Sequence, residues 1–295
     1  MKASSAWRWG KSLACALLVL AWAATAHAQG SASPPTSTTP TTTQPPSPSV
    51  PDAGKADTLS LDTAPPVNAE EDAAFKAFSD APGADTAKKI DLGETFAQKY
   101  PNSRYLPVIY STLTILYVQT NQVQKMEETG EKEVKLTPTD VQTMAILGQT
   151  IPRAMGNASS ADAAKELAKA EDYSKRAIDV TPTISKPPSI TDEQFANAKN
   201  ATLAMAHGGL GLIYLKRGKV ADAIVELDQA VKIDPTPDPV NYYLLGLADE
   251  KASHFTDAEA AYTKCAGMQF SLQSTCKSKA DEAKKLGNTQ LSVPK

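Results

Sequence analysis

The segment GGLGLIYLKRGKV (residues 208–220) combines clustered glycines with a Gly-Lys pair, two features of loops that bind phosphate. A P-loop places a serine or threonine directly after the lysine, because that hydroxyl binds Mg²⁺. Here Val220 occupies the position. A dinucleotide-binding loop needs a third glycine after G-L-G and a strand before it, but L-I-Y follows and helix-forming residues precede. We therefore interpret these glycines as helix-packing residues.

The remaining residues with catalytic potential do not form a known catalytic pattern. Beyond residue 28 the sequence holds two histidines, His207 and His254, and it contains no H-E-x-x-H, G-x-S-x-G or C-x-x-C. We expect His207 in the core or in a groove, and His254 in a solvated turn. Most carboxylates alternate with lysines at helical spacing, which is typical of a solvated face. The sequence thus predicts that the protein is not an enzyme and binds no cofactor or metal.

The first 28 residues have the organisation of a secretory signal peptide. Three basic residues precede an apolar core at 13–24, and small residues at 26 and 28 frame a cleavage site after Ala28. A membrane anchor is the alternative, but the apolar run has about a dozen residues and a spanning helix needs about 20. Cys15 does not end the apolar core, so lipid attachment there is not favoured. We predict a periplasmic or secreted protein without a membrane span in the mature chain.

Removal of the signal peptide changes the composition of the chain. All three tryptophans leave with it, and the net charge at pH 7 moves from -3 to about -6 because three basic residues are lost. A mildly acidic chain lacks the basic face that nucleic acids require, so we expect no nucleic-acid partner. Of residues 29–68, 23 are Pro, Ser or Thr, which predicts a disordered linker. Residues 69–287 are the predicted globular part, and 288–295 a disordered tail.

A pattern recurs in the globular part with a spacing of 35 residues. The matching pairs are Leu210 and Leu245, Gly211 and Gly246, Ala223 and Ala258, Leu227 and Tyr262, and Ala230 and Cys265. The pattern resembles the tetratricopeptide repeat, a helix-turn-helix unit of about 34 residues. Residues 204–237 and 239–272 are its clearest copies, and three degraded copies lie upstream, the first of them similar to the repeats of envelope-assembly lipoproteins. The resemblance implies an all-α solenoid of about five units with a capping helix.

Three local features of this solenoid are predicted from the residues themselves. Apolar residues at i, i+3/i+4 spacing predict a single helix of about seven turns over 192–216, N-capped by Thr191 or Asp192. The segment after Met268 predicts the capping helix. Gly218 lies in the turn between the two helices of its repeat, where a positive φ is often needed.

The resemblance also implies which residues face the groove of the solenoid. The candidate binding residues are Met205, Leu212, Lys216, Tyr243, Leu247 and Lys251. They describe an apolar groove with a positive edge. The positions at which carboxylate-clamping members of the family carry Lys and Asn hold Gly, Leu and Tyr here, so a clamp for C-terminal carboxylates is not expected. The alternative interpretation is that Leu212 and Leu247 simply pack against the neighbouring repeat.

Cys265 and Cys276 are the two cysteines of the mature chain. An even pair in an oxidising compartment favours a disulfide bond, which would join the last repeat to the capping helix. The alternative is two buried thiols, since Cys265 occupies a position that usually holds a small residue.

These observations predict an exported scaffold for protein–protein interaction in a complex of the cell envelope. A narrower alternative is an accessory protein of envelope assembly or cell division. Another alternative is a small-molecule-binding or hydrolytic protein, with a site built from loops inserted into the repeats. Such a protein would need a deep polar pocket, whereas a scaffold needs an open apolar surface. The expected partner is a protein or peptide, and the sequence does not determine the oligomeric state.

Overall fold

The structure is a computed structural model that describes residues 68–156 and 161–291, and within these ranges all regular structure is helical. The α-helices are α1 Ala69–Asp80, α2 Thr86–Lys99, α3 Leu106–Gln119, α4 Val123–Leu136, α5 Val141–Ala154, α6 Ala161–Val180, α7 Asp192–Lys216, α8 Val220–Ile233, α9 Pro239–Lys251, α10 Phe255–Ala266 and α11 Gln273–Leu291. A 3-10 turn at Thr181–Thr183 follows α6. The predicted signal peptide, linker residues 29–67 and the last four residues lie outside the described ranges.

The helices form five consecutive hairpins, from α1/α2 to α9/α10, and α11 packs against α10. Each hairpin also packs on the one before it: α3 contacts α2, α5 contacts α4, α7 contacts α5 and α6, and α9 contacts α8. This arrangement confirms the predicted all-α solenoid of five units with a capping helix. In the described ranges, no helix is both long enough and apolar enough to cross a membrane.

Two predicted boundaries move by a few residues. Asn68, expected to end the linker, is the N-cap of α1, because its side-chain oxygen accepts hydrogen bonds from the backbone N–H groups of Glu70 and Glu71. At the other end α11 continues to Leu291, so residues 288–291 are helical and the prediction that they belong to a disordered tail is wrong.

Helix α7 is the single long helix that the sequence predicts. Thr191 is its N-cap, and the side chains and backbones of Thr191 and Gln194 form a reciprocal capping box. The first turns of α7 lie against the segment after α6, where Lys199 donates a hydrogen bond to the carbonyl of Pro182 at 3.1 Å. The helix therefore contacts both helices of the preceding hairpin.

The apolar side chains collect into one large and two small clusters. The large cluster runs from α1 to α7 and includes Phe78, Ile109, Met144 and Ile213. Fully burying such a side chain contributes about 1.5–3 kcal/mol. One small cluster joins α8 to α9, and the other joins α10 to α11. The core is thus divided at α7, which packs against both the large cluster and the cluster that joins α8 to α9.

The glycines of residues 208–218 have the packing and turn roles that the sequence indicates. A Cβ at Gly209 would lie 2.6 Å from the carbonyl oxygen of Gly148, so α5 and α7 cross at this point with no room for a side chain. Gly218 has φ +72° in the α7–α8 turn, where a side chain would be strained. Asn121 and Ser253, with φ of 56° and 61°, occupy the corresponding turns of two other hairpins.

Candidate interaction surface

The six residues that the sequence implicates in binding lie on two helices. They are Met205, Leu212 and Lys216 on α7, and Tyr243, Leu247 and Lys251 on α9. We call their exposed parts the α7–α9 surface. The four apolar or aromatic residues and Lys216 are half-buried, and Lys251 is exposed. The half-buried side chains combine packing with solvent access.

Met205 and Leu212 both support the fold as well as the surface. Met205 packs against the large N-terminal cluster. Leu212 packs against the small cluster that contains Leu227 and Leu244. Leu212 therefore packs against neighbouring helices, as the alternative interpretation expects, and it is also partly exposed. Its remaining exposed area faces solvent.

Tyr243 connects the two small clusters. It packs against both, and its ring centroid lies 6.0 Å from that of Tyr262 at an interplanar angle of 51°. Tyr262 is buried, and its hydroxyl donates a hydrogen bond to Glu250 at 2.8 Å. Burial, and then this hydrogen bond, raise the pKa of Tyr262 far above its ordinary value. Tyr243 thus packs against a buried aromatic neighbour and is itself only partly exposed.

The two lysines of the α7–α9 surface have different environments. The ammonium group of Lys216 donates a hydrogen bond to the carbonyl of Gly156, just after α5, and burial lowers the pKa of the lysine. Lys251 is exposed at the last residue of α9. Lys216 therefore joins two hairpins, whereas no ion pair of Lys251 is found in the part of the chain that the structure describes.

Helix α5 interrupts the row of accessible positions between α3 and α7. Six consecutive residues, 143–148, are buried, and so is Pro152. A helix that is apolar on all sides is usually buried on all sides. The sequence signal is the run T-M-A-I-L-G, which spans more than one helical face. The accessible apolar side chains of α7 and α9 are consequently separated from those of α3, such as Val118.

A polar junction fixes the position of α9 relative to α5 and α7. The Arg153 guanidinium lies 2.8 Å from the carboxylate of Asp238 and donates a hydrogen bond to the side-chain oxygen of Asn241 at 3.3 Å. Asn241 is 1% exposed and sits against Gly208, where a Cβ would come within 2.6 Å of its oxygen. Because Asn241 is buried and the Arg153 side chain is 19% exposed, these contacts constrain α9 against the third and fourth hairpins.

His207 is paired with a carboxylate inside its own hairpin. Its Nδ1 lies 2.6 Å from an oxygen of Glu226, and both side chains are about one-fifth exposed or less. The pair joins α7 to α8. This confirms that His207 lies among packed helices.

Cys265 and Cys276 are joined by a disulfide bond in the structure. Their Cα atoms are 5.7 Å apart, within the usual range for such a bond, and both side chains are fully buried. The bond connects the end of α10 to the first turn of α11.

A cavity of about 300 Å³ lies between α2, α3 and α4. Its lining includes Tyr110, Tyr117 and Glu94. Lys125 and Tyr117 both donate hydrogen bonds to the Glu94 carboxylate, at 2.6 and 2.5 Å, and these bonds lower its pKa. A general acid needs the opposite shift, so the lowered pKa does not suit Glu94 to that role.

Residues 206–237 match the family model of the tetratricopeptide repeat. The chain contains a tetratricopeptide repeat. No curated protein sequence matches the chain. The matched residues cover α7 from residue 206 onwards and all of α8, which are the helices that carry the clearest copy of the sequence pattern.

Several solved structures resemble the fold at low sequence identity. A thermophilic tetratricopeptide-repeat protein of Thermus thermophilus, TTC0263, is 18% identical with a TM-score of 0.47, covering 72% of this chain and 98% of its own. PilW, described as a widely conserved type IV pilus biogenesis factor, is 12% identical with a TM-score of 0.47, covering 77% and 94%. MamA from Desulfovibrio magneticus RS-1 is 16% identical with a TM-score of 0.42, covering 67% and 94%. These likenesses carry no argument about function.

The fifth hairpin departs from the tetratricopeptide pattern at one buried position. Asp249 stands 35 residues after Tyr214, where the repeat has its tyrosine, and it is 4% exposed. Burial, and then the neighbouring Asp257, raise the pKa of Asp249 to about 6. The sequence shows the substitution, but the surroundings of the carboxylate are visible only in the structure.

Proposed function

We propose that the protein is an exported scaffold that holds a segment of another protein against the α7–α9 surface, in a complex of the cell envelope. Export rests on the predicted signal peptide, and scaffolding rests on the tetratricopeptide repeat and its packed hairpins. The narrower role, in envelope assembly or in cell division, rests on the sequence resemblance of the N-terminal repeats alone.

One observation supports the α7–α9 surface above other parts of the solenoid. Leu212, Tyr243 and Leu247 are half-buried on adjacent hairpins, and the exposed Lys251 lies one helical turn beyond Leu247. Aromatic side chains supported by a packed neighbour are the usual anchors of protein interfaces, and a charge at the edge steers the partner. The surface therefore suits a segment that carries apolar residues and at least one acidic group.

A site-specific photocrosslinker in the full-length protein tests the proposal in cells. We place it at Leu247, and at the exposed Val225 of α8 as the matched control, because Val225 is 60% exposed and also apolar. We expect a discrete adduct from Leu247 that weakens when Lys251→Glu is added, and none from Val225. Adducts that form from Val225 and not from Leu247 would place binding on the opposite helices and refute the assignment.

The cellular fraction that contains the adduct tests the second part of the proposal. An envelope complex requires the adduct in the fraction that remains after cytoplasmic proteins are removed. An adduct found only with cytoplasmic proteins would contradict export while leaving the surface assignment intact.

A further inference from the structure

Three potential metal ligands meet at the turn between α9 and α10. Asp249 lies in the last turn of α9, His254 is the N-cap of α10, and Asp257 lies in the first turn of α10. One ligand atom from each residue lies within 4.8 Å of those of the other two. The turn that brings them together is closed by a backbone hydrogen bond from His254 N–H to the Asp249 carbonyl at 2.9 Å.

The Asp249 carboxylate is the part of this cluster that needs a partner. Its side chain is 6% exposed and lies near the other two, and no hydrogen bond to its carboxylate within 3.5 Å is found in the described ranges. The Nδ1 atom of His254 lies 3.7 Å from an Asp249 carboxylate oxygen. Burying a charge without hydrogen bonds is costly, and coordination of a cation would remove that cost.

The preceding hairpin shows how the same three positions are used without such a cluster. Its equivalents, 35 residues earlier, are Tyr214, Lys219 and Asp222, and the Lys219 ammonium lies 5.7 Å from the Tyr214 ring centroid. In that hairpin the lysine ammonium lies over the aromatic ring, in a cation–π contact. In the fifth hairpin both the ring and the lysine are replaced by metal-ligating groups.

We infer that Asp249, His254 and Asp257 bind one divalent transition-metal ion of the Zn²⁺ type at the α9–α10 turn. One imidazole nitrogen and two carboxylate oxygens form a three-ligand set that leaves the fourth tetrahedral position to water or to a partner's side chain. The imidazole selects such ions over Mg²⁺ and Ca²⁺, which prefer oxygen ligands alone. Donor atoms around Zn²⁺ are about 3.3 Å apart. His254 and Asp257 are exposed, so their side chains can close on the ion while Asp249 stays fixed.

Isothermal titration of the chelator-treated full-length protein with ZnCl₂ tests the inference. We expect one saturable site, and on the order of tenfold or greater loss of affinity in His254→Lys and in Asp257→Asn, since each removes a direct ligand. His254→Lys restores the residue of the preceding hairpin, so it is compatible with the turn. Circular dichroism of each variant confirms that the fold is retained. Titration with CaCl₂ at the same concentrations should give no saturation.

Two control variants make the result decisive. Asp222→Asn changes the equivalent carboxylate of the fourth hairpin, and His207→Gln removes the other histidine of the described ranges. Both should bind Zn²⁺ as the unmodified protein does. The inference fails if the unmodified protein shows no saturable site, if His254→Lys binds with unchanged affinity, or if His207→Gln abolishes binding.

Discussion

Glu133 of α4 should make the stability of the protein fall as the pH rises. It is 2% exposed, and its Oε2 has no hydrogen-bond partner among the described residues. Burial raises its pKa to about 8, opposed by a hydrogen bond from Thr137 and aided by the nearby Asp140. Between pH 4.5 and about pH 8, Glu133 therefore keeps its proton in the folded state and loses it in the unfolded state, where its pKa is the ordinary 4.5.

The size of the effect follows from proton linkage. A folded pKa above the unfolded one gives stability that is complete below pH 4.5 and is lost as the pH rises to about 8. Each pH unit between the two pKa values corresponds to about 1.4 kcal/mol, so the loss between pH 5 and pH 9 is about 4 kcal/mol. A domain of this kind has a total stability of about 5–15 kcal/mol, so the loss is a large part of it.

Urea denaturation followed by circular dichroism at pH 5, 7 and 9 measures this loss, with the disulfide kept intact. Glu133→Gln cannot ionise, so its free energy of unfolding should rise relative to the unmodified protein by about 4 kcal/mol between pH 5 and pH 9. Glu128→Gln, an exposed change in the same helix, is the matched control. Parallel pH profiles for the unmodified protein and Glu133→Gln would refute the reasoning, because all other titrating groups are common to both.

Three further predictions concern processing, the disulfide and the interaction surface. The secreted protein should begin at Gln29 and lack tryptophan fluorescence, and a secreted form that retains tryptophan by mass and emission would contradict the cleavage site. Cys265 and Cys276 should be oxidised in protein isolated with thiols blocked, and two free thiols by mass would exclude the bond. Reduction should lower the free energy of unfolding by about 3 kcal/mol, since the bond closes a loop of about twelve residues. Tyr243→Ala should weaken partner binding by about 1–2 kcal/mol with the helical signal retained, and unfolding instead would assign Tyr243 to the core.

Local sequence signals predicted the helices well because their causes are local. The ends of α7 follow from a capping box at Thr191 and from a glycine at position 218 that takes a positive φ. The repeat spacing placed the hairpins in order, since each unit must bury its apolar face against the next. The boundary at Gly287 failed because the polar residues that follow it continue α11 without needing a buried face.

The parts of the interaction surface that could not be predicted depend on contacts between distant residues. Lys216 was expected at the edge of a groove, but its ammonium bonds to Gly156, 60 residues earlier. The run T-M-A-I-L-G signals that α5 is buried on more than one face, but it does not reveal that α7 crosses α5 at Gly209. In the sequence, Asp249 stands out only as a departure from the repeat pattern. The turn that brings His254 beside it is seen only in the structure.

The junction at Arg153 connects the surface to the rest of the molecule. Arg153 follows the buried part of α5, and its contacts with Asp238 and Asn241 hold the start of α9. Since the side chains of the α7–α9 surface sit on both helices, the angle set by this junction determines their separation. A change at Arg153 would remove this donor from the side-chain oxygen of Asn241, which is buried, and leaving a buried polar group unpaired costs about 1–3 kcal/mol. The relative position of the two helices that carry the proposed binding surface therefore depends in part on a residue outside it, on a helix that contributes no accessible apolar side chain at its central positions.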